Sequence, residues 1–324
     1  MSGAAALVRR SRALTCAWYV YDDWRARRRL AQGRIGTRSG NRHETLTLEQ
    51  SVDYIERVWR DYLAYSGRPA LTGTVCEIGP GDNFGVALLF RHYGADAVEA
   101  IDRYRTRRDP ERQAAIYRLL AERHGLDDLF AGAPAEETMK GVTYHPGCPA
   151  ETYFTAPGYR FDAIVSRAVL EHLYDPLAAL DDMFASLRPG GILVHRIDLR
   201  DHGMFAGRHP LTFLTIPDRL YQRMTAGAGR PNRVPAAAYR TWLDRPGRHG
   251  SIRITRLVGV AQEIEPSDWH DIPRPLREQA LTTVAAIRQQ IVPGLRALPD
   301  ETLAVSGIVL TAEKRTVDGE AAAQ

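Results

Sequence analysis

Short apolar runs alternate with helical stretches through the middle of this chain, and that alternation restricts its fold more than any other feature. Thr74–Ile78, Ala97–Ile101, Val142–His145, Asp162–Ser166 and Gly191–Leu199 read as buried strands. Gly85–Tyr93, Glu111–Arg123 and Asp175–Leu187 between them carry helical patterns. Parallel strands need a long crossover, usually a helix, so the pattern predicts a parallel sheet with helices on both faces. A helix over Leu48–Tyr65 precedes it, announced by Thr47 and Gln50 at capping-box spacing and ended by Gly67 and Pro69. Ile252–Val260 and Leu303–Ala312 predict two late strands, with a helix near Arg277–Ile291 between them. That makes a seven-stranded α/β core. The proline-punctuated stretch 203–250 reads as lid material grafted at one edge.

The chemistry concentrates where the first strand ends, in Val75-Cys76-Glu77-Ile78-Gly79-Pro80-Gly81-Asp82-Asn83-Phe84-Gly85. Gly79 and Gly81 allow a tight turn and close backbone approach to a ligand, and the helix that follows offers unpaired N–H groups. Dinucleotide enzymes share Gly-x-Gly, so the motif alone does not choose a cofactor. Glu77 does. A carboxylate at that strand end sits badly beside a pyrophosphate but suits a phosphate-free, cationic ligand, which argues against a nicotinamide dehydrogenase. Asp102, at the end of the second strand, stands where an acceptor for ribose hydroxyls belongs, the alternative being a turn or cap residue.

The 324 residues are 44% hydrophobic and 25% charged, enough for one large domain with attachments. No apolar run reaches the length of a membrane span, the start lacks a secretion pattern, and Cys16, Cys76 and Cys148 form no metal or disulfide framework. These features predict a cytoplasmic protein that does not engage membranes. Residues 1–42 hold ten arginines against Asp22 and Asp23, leaving the remainder net acidic. A basic arm can meet nucleic acid, but a solvated, partly disordered extension is the preferred reading. Trp18, Tyr19, Tyr21 and Trp24 predict an N-terminal anchor on the core or, alternatively, a lid helix.

The ordered motifs resemble the class I, Rossmann-like S-adenosylmethionine-dependent methyltransferases. Glu77-Ile-Gly-Pro-Gly is similar to their first motif and Ala100-Ile-Asp102 to their second. Phe161-Asp-Ala-Ile-Val-Ser166-Arg-Ala-Val-Leu-Glu171-His172 is similar to the fourth strand and its loop, and Leu187-Arg-Pro-Gly-Gly191 to the turn before the fifth. The resemblance implies that S-adenosylmethionine is held by Glu77, Gly79, Gly81, Asn83, Asp102, Ala150, Glu151, Ser166 and Arg167. Arg167 would pair with its carboxylate, and Ala150 and Glu151 would lie near adenine. The segments His43-Glu-Thr-Leu-Thr-Leu-Glu-Gln-Ser51 and His195–His202 resemble a bacterial subgroup associated with polysaccharide or natural-product pathways.

The implied domain organisation is a basic helical extension and lid over 1–70, a cofactor-binding core over 71–200, acceptor-site insertions with the last two strands over 201–314, and a disordered tail over 315–324. The expected acceptor is a small polar molecule, methylated on oxygen in preference to nitrogen. His195, Asp198 and His202 fall where the fifth strand ends and are the candidate catalytic group. In an extended strand Asp198 faces opposite to His195, so both reach the acceptor only if the strand has ended. Holding the nucleophile in line can supply roughly 7–11 kcal/mol, and a base is needed only if that nucleophile is protonated. The alternative is that His195 is a packed strand residue and that Asp201 and His202 cap the next helix. No metal is expected: some quinone-pathway methyltransferases use Glu-x-x-Glu-His after strand four, and Ala168 stands where the first Glu would be. Two rivals are a nucleic-acid methyltransferase, disfavoured because Ser166-Arg-Ala-Val replaces Asn/Asp-Pro-Pro-Tyr, and a cofactor-binding protein that does not methylate. A homodimer is left open.

Overall fold

The computed structural model describes residues 11–37, 40–155 and 161–315. Its elements in chain order are α1 (Arg12–Ala31), β1 (Gly36–Thr37), α2 (Leu48–Ser66), β2 (Gly73–Ile78), α3 (Gly85–His92), β3 (Ala95–Asp102), β4 (Arg105–Thr106), α4 (Pro110–His124) and β5 (Val142–Pro146). The second half runs α5 (Ala150–Tyr153), β6 (Phe161–Arg167), α6 (Pro176–Ser186), β7 (Leu187–Asp198), α7 (Asp218–Thr225), α8 (Ala236–Leu243), β8 (Arg248–Leu257), α9 (Arg274–Ala285), α10 (Pro293–Arg296), α11 (Asp300–Ala304) and β9 (Val305–Lys314). Seven strands form one sheet in the order β5-β3-β2-β6-β7-β9-β8. The first five are parallel, and β9 inserts antiparallel between β7 and β8.

Strand alternation divides the core. Val75, Val98, Ala100, Val165 and Val194 point to the face covered by α2, α3 and α4, where they meet Val52, Ile55, Leu88 and Ile116. Cys76, Ile101, Ile164 and Leu193 point to the other face, against Leu180, Met183, Tyr239 and Trp242 of α6 and α8. Helix α2 starts on the expected capping box, with Thr47 and Gln50 bonded reciprocally, and ends on Gly67 in the left-handed conformation. A third apolar cluster, built around Phe213, Met224, Ile254, Leu257 and Val284, binds the 203–304 insertions to the end of the sheet.

The N-terminus differs from a solvated arm. Residues 12–31 form α1, which buries Cys16, Asp23 and Ala26. The Asp23 carboxylate is 1% exposed and accepts the backbone N–H groups of Gly227 and Ala228, each at 2.7 Å. The aromatic anchor is corrected in part: Trp18, Tyr21 and Trp24 are each about half exposed, while Tyr19 and Val20 pack against the third cluster beside Cys16, on the side of α1 that docks. An Arg-rich helix needs its polar face in water, and the apolar side of α1 is too narrow to bury Trp18, Tyr21 and Trp24 as well as Tyr19. Residues 1–10 and the expected tail beyond 315 lie outside the described residues.

Candidate active site

The carboxyl edge of the parallel strands opens into a cleft of about 490 Å³. Gly79 and Gly81 form its floor, both at φ +72°, a conformation that glycine adopts without strain. The Gly79 N–H donates to the Ile101 carbonyl at 2.8 Å, which ties the loop to β3. A Cβ at Gly81 would lie 2.9 Å from the Gly40 carbonyl oxygen, so the leading segment 40–46 packs on this loop. Asp82 strengthens that contact by accepting the His43 N–H at 3.1 Å. Asp102 lines the cleft at the end of β3 and accepts the Tyr104 N–H at 3.0 Å. Burial raises its carboxyl to about 6, against the lowering effect of that bond. Ala150 lies beside it on α5.

Other expected cofactor residues sit behind this surface. Glu77 is buried in the sheet with one carboxylate oxygen unpartnered, and burial pushes its carboxyl up to about 8. Asn83 holds the loop from behind: its amide donates to Gln113 at 2.6 Å and its oxygen accepts the Gly85 N–H. Glu151 pairs with Arg103 and accepts the Tyr174 N–H at 3.1 Å. Arg167 and Ser166 differ from expectation because adjacent strand residues face opposite sides. Arg167 points toward α2 and pairs with Asp61 at 2.6 Å, away from the cofactor cleft. Ser166 points to the other face and meets His195 Nδ1 at 2.8 Å.

His195 is therefore corrected from a catalytic to a packed residue. Its ring is fully buried beside Ser166, does not line the cofactor cleft, and is held neutral by burial, with its pKa lowered to about 3. Asp198 faces the opposite side, as the strand period requires. Asp201 accepts the Gly203 and Phe205 N–H groups at 2.9 and 2.8 Å and so shapes the turn after β7. That turn carries His202 into the cofactor cleft at φ +50°, an uncommon conformation for a residue with a side chain.

His202 meets partners that its neighbours in sequence do not reveal. Its Nε2 lies 3.6 Å from both Asp198 Oδ2 and Glu171 Oε1. Its ring stands edge-on to His172 with centroids 4.8 Å apart. His172 Nδ1 sits 2.8 Å from the Gly229 carbonyl, which can only accept, so this nitrogen carries the proton and Nε2 holds the lone pair. Burial lowers the pKa of both imidazoles, His172 to about 4, and in His202 it prevails over the pull of Asp198. Burial alone would raise Asp198, but its bonds to Arg200 and the nearby His202 hold it low. Glu171 is enclosed, with His202 Nε2 3.6 Å from its Oε1, and burial pushes it well above the carboxylate range. Glu171, His172 and His202 present donor atoms within 4.8 Å of one another, a spacing that can also chelate a divalent ion.

Several lining residues went unnoticed in the sequence. Asp22, Ala26, Arg29 and Leu30 of α1 roof the cleft, and Tyr104, Val169, Met204 and Arg230 complete its walls. The glycines at 33, 36 and 40 were the available signal for the strap that brings α1 over the site.

A family model described as a methyltransferase domain matches residues 52–250. The chain belongs to the methyltransferase domain family. Its cofactor is S-adenosylmethionine, and the cleft fits it: the loop at Gly79 and Gly81 leaves no Cβ in the way, and Asp102 keeps acceptor capacity beyond its one backbone bond. Among curated proteins, this methyltransferase is similar to the ubiquinone biosynthesis O-methyltransferase of Parvibaculum lavamentivorans, at 38% identity over 63 residues covering 19% of this chain and 24% of that protein. The protein of the same description from Cereibacter sphaeroides is 29% identical over 125 residues, 34% of this chain and 44% of that one. The chain thus spans less than half the length of these relatives. Among solved structures, an S-adenosylmethionine-dependent methyltransferase from Mesorhizobium loti is 16% identical, with 82% of this chain and all of that one covered at a TM-score of 0.41. The N-methyltransferase NodS from Bradyrhizobium japonicum, solved with S-adenosylhomocysteine, is 18% identical over 51% of this chain and 68% of that one at 0.32. Among the described residues, no helix of the methyltransferase is long and apolar enough to cross a membrane.

Proposed function

We propose that this methyltransferase methylates a hydroxyl oxygen of a small polar acceptor, in a sugar, polysaccharide or natural-product pathway, with His202 as the base. The observation that carries the reading is a neutral imidazole in the cofactor cleft with an ionised carboxylate, Asp198, 3.6 Å behind it. Bound S-adenosylmethionine supplies an electrophilic methyl group on a sulfonium. His202 takes the hydroxyl proton as the oxygen becomes nucleophilic, and Asp198 stabilises the imidazolium that forms. Asp102 and the glycine loop fix the cofactor, so the acceptor is presented from the side of β7. The O-methylation named for the curated relatives supports oxygen as the accepting atom. Residues 12–31 are docked on the core as α1 and not left as a loose basic arm, which favours a small acceptor over a nucleic acid.

The test is His202→Ala. Turnover should fall by about 10²–10⁴-fold while S-adenosylhomocysteine affinity stays within a few-fold. Wild-type rate should hold steady around pH 7 and fall only in acid, below the lowered pKa of His202. Near-normal turnover in the variant would remove His202 from the mechanism and shift the search to His172.

A further inference from the structure

On the far side of Ala168 lies a second and larger trough, about 1050 Å³, that the proton transfer to His202 does not use. Its floor is the half of the sheet where β9 runs antiparallel between β7 and β8, with Ser251, Thr255 and Thr311 upward. We propose that this trough holds the acceptor by an anionic group, a phosphate, sulfate or carboxylate, so that the substrate is an acidic small molecule. This rests on the methyltransferase reading and adds the class of its acceptor.

Six arginines from five different segments converge here: Arg42, Arg57, Arg167, Arg196, Arg253 and Arg256. The carboxylates of the lining are Asp61, Asp198, Glu263 and Glu265; Arg167 pairs with Asp61 and Arg253 with Asp268 beyond the lining, so the surplus positive charge lies with Arg42, Arg57, Arg196 and Arg256. Arg196 and Arg256, only 13% and 16% exposed, share the single carboxylate of Glu263 at 2.6 and 2.8 Å. Asp198 is already committed to Arg200 outside the trough. Arg42 and Arg57 meet the ring of Tyr54, with guanidinium carbons 4.7 and 5.2 Å from its centre. Withdrawing guanidinium groups from water is costly unless their donors are satisfied, and a planar fork of donors matches the oxygens of a phosphate or carboxylate. A trough of this size suits a substituted sugar or aromatic acid.

Position ties the anion site to the reaction. Ala168 lines both the trough and the cofactor cleft. It sits at φ +55° and its N–H donates to the Arg196 carbonyl at 2.9 Å, so the partition is one small residue thick. Asp198 faces the trough, and its partner His202 faces the cofactor. An acceptor anchored by its charge among the arginines would therefore extend its hydroxyl past Ala168 toward the base.

The experiment titrates the full chain, saturated with S-adenosylhomocysteine, with inorganic phosphate, sulfate, glucuronate and uncharged glucose. The proposal expects at least one anion to bind and glucose not to. Arg57→Glu and Arg196→Gln should each weaken that anion roughly tenfold or more, with S-adenosylhomocysteine affinity unchanged. Arg274→Gln, at an exposed pair remote from the trough, is the control and should leave anion binding as it was. Arg57 is on the surface, so its variant keeps the test decisive even if Arg196→Gln fails to fold. If no anion binds, or if every variant binds equally, the trough is not an anion site and the assignment falls. If S-adenosylhomocysteine itself fails to bind, the methyltransferase reading fails instead, which is a separate result.

Discussion

Replacing Asp102 by asparagine separates the charge of that side chain from its shape. The amide oxygen can still accept the Tyr104 N–H, as the carboxylate does at 3.0 Å, so β3 should end as before. The acceptor pair facing the cleft is lost. A hydrogen bond to a charged group contributes about 1.5–3 kcal/mol, which corresponds to roughly 10- to 100-fold in the dissociation constant of S-adenosylhomocysteine at pH 8. The structure adds a pH signature. In the free protein burial raises the carboxyl to about 6, and only its ionised form accepts from two ribose hydroxyls. Wild-type affinity should therefore be flat above pH 7 and decline as pH falls through 6, reaching about tenfold below its plateau at pH 5. The asparagine variant has no proton to gain at this position and should lose the slope due to it, so the gap between the two narrows in acid. Asp82 is also raised to about 6, but it remains in the variant, so any slope left over belongs to that loop carboxyl. Isothermal titration from pH 5 to 8 reads both numbers. Variant affinity within twofold of wild type at pH 8, or an unchanged slope, would refute the ribose role and leave Asp102 as a turn residue.

Three further outcomes rest on the same contacts. Gly81→Ala places a side chain at φ +72° and 2.9 Å from the Gly40 carbonyl, so the strain of about 1–2 kcal/mol should lower the melting temperature, and displacement of the loop by the clash should weaken cofactor binding by titration. Asp23→Ala leaves two buried N–H groups without their acceptor, and the melting temperature should fall by several degrees; an unchanged melt would mean that α1 is not docked in solution. If His202 acts as a base and not as a ligand beside Glu171 and His172, turnover should be indifferent to a divalent-metal chelator, whereas loss that a divalent ion restores would assign the cluster to a metal.

What the sequence disclosed was set by local rules. The strand-to-glycine turn at Ile78–Gly81 is legible because positive φ demands glycine, and Asp102 because a strand's last residue faces the cleft by construction of the sheet. The capping box at Thr47 and Gln50 is likewise local. Long-range pairing is what escaped. Nothing near Arg167 reveals Asp61, 106 positions earlier, which takes its charge away from the cofactor. His195 and His202 look equivalent in sequence, yet one ends inside the sheet because the strand is still extended there and the other swings free on a turn. Asp23 among arginines reads as a solvated residue until Gly227 and Ala228, more than 200 positions away, donate to it.

The roof that α1 lays over the cofactor makes the nucleoside a brace between two parts of the molecule. A ligand in that cleft touches the glycine loop of the sheet and Ala26, Arg29 and Leu30 of the helix together. Its binding free energy must then appear as added stability of the helix, in proportion to how far ligand concentration exceeds the dissociation constant. Amide exchange along residues 12–31 should slow when S-adenosylhomocysteine is added, while buried inner strands, expected to open only globally, should follow the whole domain. The N-terminal helix thus reports on occupancy from outside the reaction centre, and a cell short of cofactor would hold this enzyme with residues 12–31 less firmly tied down.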